Sequence, residues 1–201
     1  MLSGVRYAGL LLLLLLCFSF FTGCISFGPA PPVAEQGGLN SPPTSQNSLQ
    51  DITSHNAPKV SLDDAIGALP AAGQQGIATD GQIITEIWGY GVDTSGLART
   101  WVLGMVGAGN TTLLSYSDGE WKVLDLPTTL PRGEVKPSEL TSPQDLFKKN
   151  LNTILSEMNR LRVGEADLTL TSDNYQITVH SVSESSTLTF DAKTGELIPS
   201  P

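Results

Sequence analysis

Apolar residues Leu62, Ala65, Ile66 and Leu69 recur at the spacing of one helical face. Ser61 just before them and Asp64 three residues later have the form of a capping box. Two acids, Asp63 and Asp64, also suit the positive end of a helix dipole. Pro70 is expected to stop or kink this helix, and Gly73 and Gly76 mark 71–79 as a loop. Strand-like runs rich in β-branched and aromatic residues follow at Gln82–Val92, Leu97–Val106, Thr111–Tyr116 and Trp121–Leu126. Short joins separate them: Asp93-Thr94-Ser95-Gly96, Gly107-Ala108-Gly109-Asn110 and Asp118-Gly119. The last is a strong hairpin signal, because both turn positions need positive φ. Loops this short imply antiparallel neighbours.

The pattern then restarts. Ser142 is placed as a cap, Pro143 at the first helical position and Asp145 three residues after the cap. Phe147, Leu151, Ile154, Leu155, Met158 and Leu161 form a helical stripe, with Gly164 expected to end it. Ala166, Leu168 and Leu170 alternate with Asp167, Thr169 and Thr171, as a half-buried strand does. Tyr175, Ile177 and Val179 alternate with Gln176, Thr178 and His180; Leu188 and Phe190 alternate with Thr187, Thr189 and Asp191. Leu197 and Ile198 form a last short run.

These elements predict an α+β fold of two consecutive helix-plus-antiparallel-sheet units, α-β-β-β-β then α-β-β-β-β. The first spans 59–127, a linker 128–141 and the second 142–201. Units of this size are marginal alone. They either share one continuous sheet or pack against each other.

The amino terminus reads as an address. Met1–Tyr7 carries one positive charge, Arg6, and residues 8–21 are nearly all apolar. Phe21-Thr22-Gly23-Cys24 follows, with small residues before a break. This run resembles the lipobox of prokaryotic lipoprotein signals, with Phe21 where an aliphatic residue is usual. The resemblance implies cleavage after residue 23 and lipidation of the Cys24 thiol. An uncleaved signal anchor is the other reading of 1–23, since Tyr7–Phe27 is uncharged and long enough to span a bilayer. Both readings tether a domain outside the cytoplasm. Residues 24–58 contain Pro29, Pro31, Pro32, Pro42 and Pro43 among Gly, Ser, Asn and Gln, and predict a disordered tether.

Charge narrows the function. The chain has 201 residues and a net charge of −9. A nucleic-acid binder needs a basic patch to release phosphate counterions, and this balance is the opposite. Two cysteines, Cys17 and Cys24, build no disulfide scaffold. No phosphate loop or dinucleotide fingerprint is present, because Gly104-Met105-Val106-Gly107-Ala108-Gly109 precedes a strand-like run rather than a helix.

The ending Leu188-Thr189-Phe190-Asp191-Ala192-Lys193-Thr194-Gly195-Glu196-Leu197-Ile198 resembles the close of a PepSY domain, and Val60-Ser61-Leu62-Asp63-Asp64-Ala65-Ile66 resembles its opening helix. Together the two pieces cover about 20 residues, in different halves. The local chemistry is a turn in which the Asp191 side chain accepts backbone N–H groups and Gly195 takes the left-handed position. The resemblance implies an extracytoplasmic, non-catalytic module that binds or inhibits.

Candidate chemistry is sparse. His180 is the one histidine of the folded part and falls on a polar strand face. One histidine without cysteine makes no ordinary zinc site. The expectation is no metal, no cofactor and no enzyme activity. A hydrolase would need His180 clustered with an acid and a serine. Trp88, Tyr90 and Trp101 are candidates for a surface that grips a protein or peptide, since Trp and Tyr dominate contact energy. On β-alternation Ile84, Glu86, Trp88 and Tyr90 share one face, and the apolar look of both faces predicts cover on each side, by the helix and by the second half, a partner or another copy. Asn110-Thr111-Thr112 matches a glycosylation acceptor in a turn. The reading is a membrane-tethered binding module with an unknown protein or peptide partner; the rival is a structural or assembly protein that self-associates.

Overall fold

A computed structural model describes residues 57–199. The signal segment, Cys24 and the tether up to residue 56 lie outside the described residues. The fold is α+β. The elements are α1 (Leu62–Gly67), α2 (Leu69–Gln74), β1 (Ile83–Val92), β2 (Thr100–Val106), β3 (Thr111–Ser117) and β4 (Glu120–Leu124). After a short 3-10 turn at Pro137–Glu139 come α3 (Pro143–Lys149), α4 (Leu151–Leu161), β5 (Ala166–Leu170), β6 (Asn174–His180), β7 (Ser185–Asp191) and β8 (Leu197–Ile198). Among the described residues no helix is long and apolar enough to cross a membrane.

All eight strands form one antiparallel sheet in the order β4-β3-β2-β1-β5-β6-β7-β8. The halves meet where β1 pairs with β5, Ile87 opposite Leu170 and Gly89 opposite Leu168. Of the two arrangements open to the sequence, the continuous sheet is the one observed. The helices cover one face. Trp101, Leu103 and Leu114 belong to the same buried cluster as Leu168, Tyr175 and Phe190, together with Leu62, Phe147, Ile154 and Met158 of the helices. One shared core replaces two small ones, which favours stability because larger cores bury a larger fraction of surface.

Local chemistry sets the ends of the elements. The Ser61 hydroxyl accepts from the Asp64 N–H at 3.0 Å and donates to its carboxylate. Ser142 and Asp145 repeat the arrangement. Asp118 and Gly119 both have positive φ, 54° and 84°, as their hairpin requires. The Asp191 carboxylate accepts the N–H groups of Lys193 and Thr194, and Gly195 has φ 66°. These bonds hold the carboxyl below its ordinary range.

Several expectations need correction. The helix does break just before Pro70, at Ala68, but the chain restarts at once as α2, so 71–74 is helix rather than loop. Proline fits the first turn of a new helix, where its missing N–H would have no partner anyway. The second helix is also two pieces. Asn150 interrupts it, and its side-chain amide donates to the Leu146 and Gly195 carbonyls. That break re-aims the stripe: Leu146 is buried, whereas Leu151 and Leu155 stay 39 % and 37 % exposed. Gly164 is not the stop. Arg162 takes the left-handed position (φ 57°), and Val163 N–H bonds the Met158 carbonyl.

The face assignment in β1 changes as well. A bulge lies between Ile84 and Glu86, and Thr85 is the extra residue, its hydroxyl on the Gly104 carbonyl. Ile84 therefore packs on the core, while Glu86, Trp88 and Tyr90 lie on the sheet face away from the helices.

Candidate functional site

The face of the sheet away from the helices carries the chemistry-bearing side chains. Register places Glu86, Trp88 and Tyr90 of β1 opposite Gly104, Val102 and Thr100 of β2. On the other side Trp88 stands opposite Thr169 of β5, and Asp167 opposite Thr178 of β6. Gln176 and Thr178 meet Thr189 and Thr187 of β7, continuing the face as a polar row. The hydroxyls of Thr178 and Thr187 are 3.3 Å apart.

Half of this face is covered by the chain itself. The segment 125–136 leaves β4 and returns across the sheet. At its end Val135 N–H bonds the Ile84 carbonyl at 2.7 Å, and the Val135 side chain joins the buried core on the helix side. Leu130 and Trp88 both press on Gly104: a Cβ there would lie 2.6 Å from Leu130 Cδ2 and 3.1 Å from Trp88 Cζ3. The cover over Trp88 is thus the linker, acting as a strap, where the sequence suggests the second half, a partner or another copy. The β5–β6–β7 part of the same face stays open.

Of the sequence candidates, Trp88 is half-buried beside Leu130 and Tyr90 is buried, both on the strap side. Trp101 is not with them. It lies on the helix face, 0 % exposed, and its indole N–H bonds the Val60 carbonyl at 3.1 Å. The three do not form one surface, because Trp101 sits opposite Gly89, on the other side of the sheet. Asn110 is exposed in the β2–β3 turn, and its carbonyl accepts the Gly107 N–H. Cys24 lies outside the described residues.

At the far end of β1 from Ile84, ionisable groups gather. Asp167 accepts the Gly91 N–H at 3.2 Å, and its other oxygen lies 3.7 Å from His180 Nδ1. Arg99 bonds Glu165 through Nε and Nη2, and Lys59 reaches both Glu165 and Asp93. This network ties the entry to α1, the β1–β2 loop and the entry to β5. Arg99 holds the Glu165 carboxyl below its ordinary range. Burial acts oppositely on Glu86, raising its pKa from 4.5 to about 7. Tyr90 is pushed well above its usual value, first by burial and then by Asp167 and Glu86. Sequence reasoning missed Glu86 and Asp167, because only the β1–β5 pairing brings them to one face. Among the described residues no cluster of three metal-binding side chains exists.

The arrangement has a catalytic look in one respect only. Ser185 stands directly across from His180, whose imidazole faces Asp167. A serine nucleophile also needs N–H donors aimed at an oxyanion. The flanking amides are spent on the hairpin, Ser181 N–H on the Glu184 carbonyl and Glu184 N–H on the Ser181 hydroxyl.

The raised Glu86 pKa has a measurable consequence. In the fold Glu86 keeps a proton that the unfolded chain has lost. Stability therefore falls as pH rises from about 4.5 to about 7 and is level above that. Glu86→Gln is expected to stabilise the protein at pH 8 and to be neutral at pH 4. The gain is about 1 kcal/mol, because water still screens a half-buried carboxylate. Urea midpoints at the two pH values check it; equal shifts would mean an ordinary exposed carboxylate.

No family model matches the chain, and no curated protein matches it. Among solved structures, a candidate lipoprotein from Clostridium difficile 630 aligns with a TM-score of 0.45 at 16 % identity, over 72 % of this chain and 94 % of that one.

Proposed function

We propose that this chain is a membrane-tethered, extracytoplasmic, non-catalytic module that binds a protein or an extended peptide. The tether rests on the apolar segment 8–21 and on Thr22-Gly23-Cys24, with Cys24 as the lipidated residue. The PepSY-like opening and ending support the binding role through their resemblance. The observation that carries the reading is the make-up of the open face. It is a polar row of Thr169, Gln176, Thr178, Thr187 and Thr189 running up to Trp88 at the strap. The depressions elsewhere, about 370 Å³ at the β3–β4 end and about 490 Å³ beside α2, lie away from it. A row of hydroxyl and amide side chains suits a macromolecular partner better than a small substrate, whose sites are mostly apolar and concave.

Cross-linking and mass spectrometry on native membranes test this with the tether intact. A single heterologous partner linked near Trp88, and lost in Trp88→Ala while the domain stays folded, is the expected result. Links unchanged in Trp88→Ala would overturn the assignment of the face. Unfolding of Trp88→Ala would make the indole a packing residue. The same spectra report any mass added at Cys24.

A further inference from the structure

The sheet has two outer edges, and they are built differently. At β4 the exposed side chains include Glu120 and Lys122, charges that discourage pairing with another chain. At the other edge β8 is only two residues long, pairing Leu197 with Phe190 and Ile198 with Thr189. Pro199 follows and has no N–H to continue the ladder. Ser185, Ser186, Thr187 and Leu188 of β7 are left with no strand outside them among the described residues, and none is charged.

The direction of the free groups follows from the ladder. Asp191 N–H bonds Glu196, outward from β6. Backbone groups two residues apart in a strand point the same way. The N–H and C=O of Thr187 and Ser185 therefore face outward, while those of Leu188 and Ser186 face β6. Exposed apolar side chains sit at both ends of this stretch. Val182 is at the hairpin tip beyond Ser185, 109 % exposed; Leu197 and Ile198 lie at the opposite end, 45 % and 42 % exposed.

We propose that the outer edge of β7 pairs with the same edge of a second copy of this chain, antiparallel, about a two-fold axis at Ser186. The open stretch is self-complementary in this register. Thr187 stands opposite Ser185 of the partner subunit, and Ser185 opposite Thr187 of the partner subunit. These two hydrogen-bonded pairs give about four main-chain bonds. Small hydroxyl side chains meet across the axis, with no like charges opposed. Antiparallel pairing also brings the upper end of one β7 to the lower end of the other. Val182 then meets the β8 end of the partner subunit, twice by symmetry, as an isologous interface requires. A generic peptide would satisfy the main-chain groups but would leave no reason for apolar residues at both ends. The interface is small, so association is concentration-dependent.

Ser186→Cys in the full chain tests the axis. A non-hydrogen-bonded antiparallel pair places Cα atoms about 4.5 Å apart, within disulfide range. Mild oxidation is expected to give a 186–186 cross-link in high yield, and Val123→Cys on the other edge is expected to give none. Adding Thr187→Pro removes an outward N–H without touching the β6 ladder, and is expected to abolish the link while circular dichroism stays unchanged. In the unsubstituted chain, exchange of the Thr187 amide is expected to slow about tenfold as concentration rises into the dimer range. The proposal is overturned by absence of the 186–186 link, by equal linking at 123, or by Thr187 exchange that is independent of concentration. The amide measurement decides the matter even if Thr187→Pro unfolds.

Discussion

Trp101→Ala is expected to lower the unfolding free energy by about 3–5 kcal/mol, the range for removing a buried aromatic side chain. The ring is 0 % exposed and fills space that β1 leaves for it. A Cβ on Gly89 would lie 2.6 Å from Trp101 Cζ3, so the ring rests directly on the glycine backbone. Across the ladder Trp101 faces Tyr116, whose ring centroid is 5.0 Å from that of Trp121. Trp121 in turn donates its indole N–H to the Ala65 carbonyl of α1. Removing Trp101 opens a cavity at the point where the sheet holds the first helix. The Val60 carbonyl keeps its bond from the Ala98 N–H, so the loss is one of packing rather than of an orphaned acceptor. Domains are typically stable by only about 5–15 kcal/mol, so this one change removes a large share. Urea denaturation followed by fluorescence of the remaining Trp88 and Trp121 measures it. A change below about 1 kcal/mol would mean the ring is not a core residue.

Gly96→Ala comes next, at about 2–4 kcal/mol. Gly96 has φ 76°, and an added Cβ would lie 2.7 Å from the backbone carbonyl of Pro143. The left-handed conformation costs alanine about 1 kcal/mol. The overlap adds about 1–3 kcal/mol, because backbone at a helix start cannot yield as a side chain would. Gly109→Ala is the comparison. Its φ is 90°, but nothing lies within 4 Å of the added carbon. Only the conformational part should remain there, about 1 kcal/mol. The difference between the two variants measures the contact of the β1–β2 loop with α3. Equal losses would mean that this contact contributes nothing to stability.

Much of this molecule is legible locally. Ser61 and Ser142 cap helices, Asp118-Gly119 turns a hairpin, and Asp191 gathers the N–H groups of its own turn. Each is a bargain among residues within four positions, and short-range chemistry is what a sequence displays. The alternation of Tyr175, Ile177 and Val179 against Gln176, Thr178 and His180 likewise separates buried from exposed positions. It holds because one face of that strand meets helices and the other meets water. In β1 the same reasoning fails after Ile84, because the bulge at Thr85 shifts every later side chain to the other face. Nothing in the composition of Ile83-Ile84-Thr85-Glu86 announces a bulge.

The sequence by itself determined the α+β class, the strands and most of their turns, the capped helix starts and the acidic balance. Each depends on neighbours along the chain or on counting residues. Tertiary structure alone decided that β1 and β5 join the halves into one sheet, that Leu130 covers Trp88 on one face, and that Trp101 parts company with Trp88. It also brought Asp167 beside His180 and the Gly91 N–H, and left the outer edge of β7 with no strand beyond it at 185–188 among the described residues. These features depend on which of several similar strands become neighbours. That choice is made by burial summed over the whole core, and no single stretch of chain carries it.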